Sequence, residues 1–346
     1  MITFEEKKIE LVSNDGDRTV FLMRPFRSGD EAGMIGCVTE EYGSSYFKKD
    51  FYDEDRIRED AVSGKYVFFV AEADGEIAGM EIFHIFKDGE DYIEPASQII
   101  RKKYRKYGLS GALVNYTLPL AEKMGPCALF VHAVTFHRST QNVCEAYGMI
   151  PTGFRLGSFL TEKMHNSYEK YDCDKYSEGI MVLPVAKKKA GTVYVPKELE
   201  SYTDKIYKRL KVDYNISGRS PDTVGGAGIP ERSEIVISRD NEQRFAAARV
   251  LTPGRDIALK MKELIASFPD EPGWVIQVML NMSSPSVFYE YDELKKAGFF
   301  FSGLKPVCGP DESMYMQWIG DTKLNMEGYA LTESFDEIRR DIEAFM

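Results

Sequence analysis

One stretch constrains this chain more than any other: Ile99-Ile100-Arg101-Lys102-Lys103-Tyr104-Arg105-Lys106-Tyr107-Gly108-Leu109-Ser110-Gly111-Ala112-Leu113. Its first residues close a segment, Asp91 to Arg101, that reads as a strand. Its last residues open a helix over Gly108 to Met124, because Leu109, Ala112, Leu113, Tyr116 and Leu120 recur at helical spacing. Pro119 predicts a kink inside that helix. A short basic loop joins the two elements. Amide N–H groups at a helix start, with the positive end of the helix dipole, make an anion site. Gly108 and Gly111 let the backbone approach a phosphate closely, and Arg105 or Lys106 adds charge. On these residues alone, a solvated basic loop ahead of an ordinary helix fits equally well.

Around this stretch, strand and helix signals alternate. Strands are expected over Thr19 to Phe26, Lys65 to Glu72, Glu76 to Phe86, Ala128 to Thr135, Phe154 to Leu160 and Glu178 to Leu183. Asp74-Gly75 is a hairpin turn. Helices are expected over Glu31 to Glu41 with Asp30 as N-cap, over Asp53 to Val62, and over Thr140 to Tyr147, stopped by Gly148. The polar stretch Ala186 to Gly191 reads as a linker, after which the pattern restarts. A strand (Thr192 to Pro196), a helix (Lys197 to Leu210) and a loop (Asp222 to Pro230) lead to paired strands over Ser233 to Ser238 and Arg244 to Leu251. A helix (Asp256 to Ser267), a strand (Gly273 to Asn281), a helix (Ser286 to Lys296) and strands over Phe299 to Pro306 and Met314 to Ile319 close the chain. Both halves thus end alike, with a buried strand, a helix stopped at glycine, and further strands. This is an internal repeat of pattern, not of residues.

The 346 residues suffice for about two domains at roughly 150 residues each. Lys and Arg total 44 and Asp and Glu 55, a net charge of −11. That balance argues against a general nucleic-acid binder, which needs a basic footprint. No run reaches the ~18 apolar residues that span a bilayer, so no membrane partner is expected. Met1 to Lys8 lacks the apolar core of a signal peptide. The five cysteines are scattered without a C-x-x-C pair, so a reducing, cytoplasmic setting is expected. The four histidines show no H-E-x-x-H or H-x-x-x-H spacing, so no metal is expected.

The loop resembles the R/Q-x-x-G-x-G/A motif of the GNAT N-acetyltransferase superfamily. The matching residues are Arg105-Lys106-Tyr107-Gly108-Leu109-Ser110, with Ser110 in place of the last Gly or Ala and Gly111 following. The likeness continues outside the loop. Arg24-Pro25-Phe26 with Asp30 is similar to the family's opening strand and first helix, and Val70-Ala71 to Gly79 to its hairpin. Val134 to Gln141, then Tyr147-Gly148-Met149-Ile150-Pro151-Thr152-Gly153, is similar to its fifth strand, fourth helix and G-F-x-x-x-G segment. These matches span about residues 19 to 183. Glu293 to Gly303 resembles the same closing segment in the second half. There, Arg249-Val250-Leu251-Thr252-Pro253-Gly254-Arg255-Asp256 stands where the motif belongs, with no R-x-x-G-x-G and with Pro253 removing an amide.

The resemblance implies an α/β fold of two GNAT-like units, residues 1–185 and 186–346, the second degenerate for the cofactor. Each would be a mostly antiparallel twisted sheet flanked by helices, with splayed central strands. It implies acetyl-CoA as cosubstrate and direct attack by an amine acceptor, either a small molecule or a peptide. The pantetheine arm would pair with the backbone at Gln98, Ile99 and Ile100. The diphosphate would sit on the amides of Arg105, Lys106, Tyr107, Gly108, Leu109, Ser110 and Gly111, and Gln141 would cap or contact pantetheine. The family's acid position falls on Cys144, where a small buried thiol packing in the core is the alternative. Glu94 is the candidate base, with Glu81 a second choice and an exposed strand-end charge the competing reading for Glu94. His137 could be a base, a cofactor ligand or a hydrogen-bonding loop residue, and His132 a satisfied core residue. A non-catalytic acyl-CoA sensor remains the rival class. Gly225-Gly226-Ala227-Gly228 reads as a linker or lid, and Phe68-Phe69 and Phe299-Phe300-Phe301 as core strands.

Overall fold

Apolar residues run without alternation through Phe68-Phe69-Val70-Ala71, the pattern of a strand covered on both faces. The computed structural model describes residues 4–86, 92–163, 173–185, 191–218, 228–306 and 312–346. Packing divides them into two units: the chain passes from the first to the second inside one strand, between Val131 and His132, and Lys163 again belongs to the first.

The first unit contains β1 (Lys7–Val12), β2 (Arg18–Pro25), α1 (Glu31–Tyr42), α2 (Glu54–Ser63), β3 (Tyr66–Ala73), β4 (Glu76–Ile85), β5 (Tyr92–Ile100), α3 (Leu109–Met124) and the start of β6 (Ala128–Val134). Strands β1 to β5 lie in chain order, each antiparallel to the next, and β6 joins β5 in parallel. The Asp74-Gly75 turn holds both residues at positive φ, 52° and 77°. Phe68, Val70, Met80 and Ile82 share one core with Met34, Cys37 and Val38 of α1 and Ile57 of α2. Phe69, on the opposite face, meets Phe83 at 4.9 Å and Tyr116 of α3 at 6.0 Å between ring centroids. The doubly apolar run in β3 is therefore needed to bury both layers.

Asp30 differs from its expected role. Its carboxylate does not cap α1. It takes a bidentate bond from the buried Arg24 guanidinium, at 2.7 and 2.8 Å, and a third bond from the Arg27 amide at 2.7 Å. A planar guanidinium binds a carboxylate more strongly than one backbone N–H does, so the ion pair wins.

The second unit contains the end of β6, α4 (Ser139–Ala146), β7 (Ile150–Leu160), β8 (Lys175–Pro184), β9 (Thr192–Tyr194), α5 (Glu200–Leu210), β10 (Asn215–Ser217), β11 (Glu234–Asp240), β12 (Phe245–Thr252), α6 (Ile257–Ala266), β13 (Val275–Asn281), α7 (Val287–Lys296), β14 (Phe300–Lys305), β15 (Ser313–Trp318) and α8 (Glu333–Glu343). Its main sheet runs β8-β7-β14-β15-β13-β12-β11. The segments α4–β7–β8 and α7–β14–β15 repeat the same order, and they meet where Gly153 of β7 opposes Gly303 of β14. A Cβ on Gly153 would stand 2.3 Å from the Gly303 Cα, so only glycine permits this approach. The repeat boundary expected near residue 185 is thus not the packing boundary, because β7 and β8 join the sheet of the second unit. Ala186 to Ala190 of the expected linker, Gly225 to Ala227 of the glycine loop and Asp91 of the expected strand lie outside the described residues.

Candidate active site

The basic stretch after β5 forms a 3-10 turn, Lys102–Tyr107, and then Gly108 opens α3 in the left-handed conformation (φ 69°, ψ 21°). Gly108 gives the helix no capping side chain, and an added Cβ there would meet nothing within 4 Å. Open space thus borders the helix start where amide donors concentrate. The basic side chains turn away from this point. Arg105 donates from Nε to the Ile100 carbonyl at 3.0 Å and pairs with Glu41. Lys106 pairs with Asp15 and Asp17, and its carbonyl accepts from the Asn14 amide at 3.2 Å. Tyr107 packs edge-on against Phe21, and Leu109 is buried. Lys106 and Arg105 therefore anchor the loop, and an anion there would be held by backbone.

Among the described residues, β5 and β6 pair at Tyr92↔Ala128 and Ile93↔Leu129 and nowhere beyond. From Glu94 onward the β6-facing edge of β5 forms no ladder with β6 among the described residues. Gln98, Ile99 and Ile100 lie on this part of the strand, and Ile99 and Ile100 pair on the other side with Met80 and Gly79. Opposite Glu81, β5 carries two residues, Ser97 and Gln98, and Ser97 adopts φ 50°. This is a β-bulge, which bends the strand.

The bulge separates two carboxylates with different surroundings. Glu94 lies directly across from His84, with Oε2 3.3 Å from Nδ1, and both side chains are partly accessible. Aromatic rings flank the pair: His84 stands 5.0 Å from Tyr66 and 4.0 Å from Phe86, which is 4.5 Å from Tyr92. Tyr46 donates to Ser97 Oγ at 2.8 Å. Burial, with a further contribution from the Glu94 charge, pushes the Tyr46 and Tyr66 hydroxyls above their ordinary range. Glu81 points to the other face. It is buried, accepts from Thr117 Oγ1 at 2.8 Å, and burial pushes its carboxyl up to about 7. Its place behind α3 gives a structural position to the second-choice base.

Residues 35–149 match the model of the acetyltransferase (GNAT) family. This chain carries a GNAT domain. The chain is similar to several solved acetyltransferases. One is the ribosomal-protein-S18-alanine N-acetyltransferase of Escherichia coli (15% identity, 49% of this chain, 96% of that one, TM-score 0.39). Another is an acetyltransferase of Salmonella typhimurium with acetyl-CoA, at the same four values. A third is a chimera of the Vibrio cholerae spermidine N-acetyltransferase (15%, 48%, 96%, TM-score 0.38). No curated protein matches the chain.

Three residues singled out from the GNAT resemblance belong to the second unit. Gln141 is buried, donates to the carbonyls of Val134, His137 and Ala330 at 3.0 to 3.2 Å, and accepts from the Thr332 amide at 3.0 Å. The backbone of its own unit occupies this amide, which ties the end of β6 and α4 to the segment before α8. His137 accepts the Ser139 amide on Nδ1 at 3.2 Å and so satisfies the first backbone donor of α4. Cys144 is a half-buried cysteine in α4. Among the described residues no cluster of three or more His, Cys, Asp or Glu could hold a metal, and no helix is long and apolar enough to cross a membrane.

His84 is the residue that sequence reasoning missed. Asp88-Gly89 between the two strands is a two-residue turn signature, but a turn centred there would set His84 against Ile93, so the observed register that sets His84 against Glu94 is not legible.

Proposed function

We propose that the GNAT domain in the first half is an acetyl-CoA-dependent N-acetyltransferase acting on an amine. The unpaired edge of β5 beside a helix opened by Gly108 carries this reading, because it offers backbone donors and acceptors on a strand that leads to an anion-binding helix start. These residues fit the cosubstrate: Gln98, Ile99 and Ile100 supply strand-like backbone for the pantetheine arm, and the amides from Arg105 to Gly111 supply donors for the diphosphate. When bound, acetyl-CoA supplies an activated acetyl thioester. Glu94 accepts the proton that an acceptor ammonium must lose before its nitrogen becomes nucleophilic, and His84 holds that carboxylate in place.

The second repeat supports a single site in the chain. There β12 and β13, at the places of β5 and β6, stay paired over five positions, Phe245↔Val275 to Arg249↔Met279. At the start of α6, the Asp256 carboxylate accepts from the Ser233 amide and hydroxyl at 2.6 and 2.7 Å, and a Cβ on Gly254 would run into the Arg232–Ser233 backbone at 2.2 Å. A negative charge and packed backbone thus stand where an anion would need room.

The test is free-thiol release from acetyl-CoA with a panel of amines. Release that depends on the amine is the expected result. Binding of coenzyme A without release on any amine would favour a sensor.

A further inference from the structure

Glu81, Thr117, Gln98 and Ser110 form one connected set inside the first unit. Ser110 Oγ donates to Gln98 Oε1, and Gln98 Nε2 donates back to the Ser110 carbonyl at 3.3 Å. Gln98 also bonds Glu81, whose other partner is Thr117, one bond from the Leu113 carbonyl of the same helix at 3.1 Å. Ser110 stands at the motif position where the resemblance calls for Gly or Ala, and Gln98 stands on the bulge of β5. The serine therefore clasps the first turn of α3 to that strand, and a buried carboxyl sits behind the clasp.

We propose that Glu81 is a positioning residue that makes coenzyme A affinity depend on pH, acting through Gln98 and Ser110 on the first turn of α3. This rests on the acyl-CoA reading of that helix start. A neutral Glu81 carboxyl is a weak acceptor for Thr117 and competes little for the Gln98 amide, which Ser110 then holds. Ionised, it can only accept; it draws Thr117 and Gln98 toward itself and places an uncompensated negative charge beneath the diphosphate cradle. Burial pushes this carboxyl up to about 7, so the change falls near neutrality.

The other charged groups on the packed elements are engaged elsewhere. Glu72 of β3 is held by Arg24, Glu76 of β4 by Lys103 and Tyr104, and Glu94 of β5 by His84. On α3, the Tyr116 hydroxyl donates to the Glu5 carbonyl at 2.9 Å, and Glu122 and Lys123 lie at its far end. In α1, Glu31 is held by Arg58, Glu40 by Arg101 and Glu41 by Arg105.

The experiment is calorimetric titration of the full chain with coenzyme A between about pH 6 and pH 8, in wild type, Glu81→Gln and Ser110→Ala. Wild-type affinity should fall roughly tenfold more across this range than that of either variant. A slope common to all three belongs to the ligand's own phosphates. Carboxyl infrared bands of the ligand-free protein give a second readout: a protonated band lost near neutrality should be absent in Glu81→Gln. Equal slopes in all three proteins, with binding intact, would overturn the proposal and leave the acyl-CoA reading standing. Absence of binding in wild type would overturn both. Should Glu81→Gln fail to fold, the Ser110→Ala comparison and the wild-type band decide alone.

Discussion

Gly108→Glu separates backbone cost from charge at the proposed anion site. The residue is left-handed at φ 69°, and a Cβ would meet nothing within 4 Å, so any side chain there incurs strain without a clash. The left-handed conformation costs about 1–2 kcal/mol for an L-residue, with Asn the best tolerated. That corresponds to a fall in Tm of about 2–4 °C per kcal/mol for a unit of roughly 150–250 residues. A carboxylate about 4 Å from a phosphate charge, at an effective dielectric of about 20, adds repulsion of about 4 kcal/mol, or roughly a thousandfold in affinity. Gly108→Asn supplies the backbone change without the charge. Thermal shift with rising coenzyme A reads both terms, because a ligand that binds only the native state raises Tm with concentration. Both variants should melt slightly early without ligand; Asn should retain the ligand-induced rise and Glu should lose it. A Glu variant that shifts as wild type does would refute the location of the cradle. Loss of the shift in both would show that backbone geometry, and not charge, governs binding.

Glu94→Gln should lower amine-dependent thiol release by about 10²–10⁴-fold while leaving the coenzyme A thermal shift in place; turnover within a factor of about two of wild type would remove Glu94 as the base. Lys175 is buried and donates from Nζ to the carbonyls of Gln243, Arg244 and Gly273 at 2.7, 3.0 and 3.1 Å. Lys175→Met leaves those carbonyls without that donor and should cost roughly 3 kcal/mol in urea unfolding; an unchanged midpoint would mean that desolvation of the ammonium cancels its bonds. Burial moves the Glu81 carboxyl from 4.5 to about 7, so between these values the native state keeps a proton that the unfolded chain has released. Its contribution is full below pH 4.5 and is lost as pH rises through about 7, by roughly 3 kcal/mol in total. Unfolding midpoints over this range should fall in wild type and stay flatter in Glu81→Gln, and parallel curves would contradict the shift.

Most elements of this fold are legible from periodicity, but β1, the three-residue β10 and α8 are missing from the elements expected above. β1 is an exposed edge strand, so Lys7-Lys8-Ile9-Glu10-Leu11-Val12 has little apolar face to announce it. α8 does carry a signal: Thr332 accepts the Phe335 amide, and Phe335, Ile338 and Ile342 recur on one buried face. The candidate site divides in the same way. Gly108 and the helix start are local features, and the sequence shows them directly. The partners of Arg105 and Lys106 are not local, since Glu41 lies 64 residues away and Asp15 lies 91 away. For the same reason the engagement of Gln141 by Ala330 and Thr332 could not be foreseen from its helix.

By itself, then, the chain's residue order determined where strands and helices begin, that a glycine opens α3, and that the second repeat lacks the motif. Only the tertiary structure decided which charges meet, that β5 pairs with β6 only as far as Ile93 among the described residues while β12 stays on β13, and that Glu94 faces His84 while Glu81 is sealed behind α3. The physical reason is range. Propensity and periodicity act over a few neighbouring residues, whereas ion pairs, strand register and burial depend on which distant segments the sheet brings side by side.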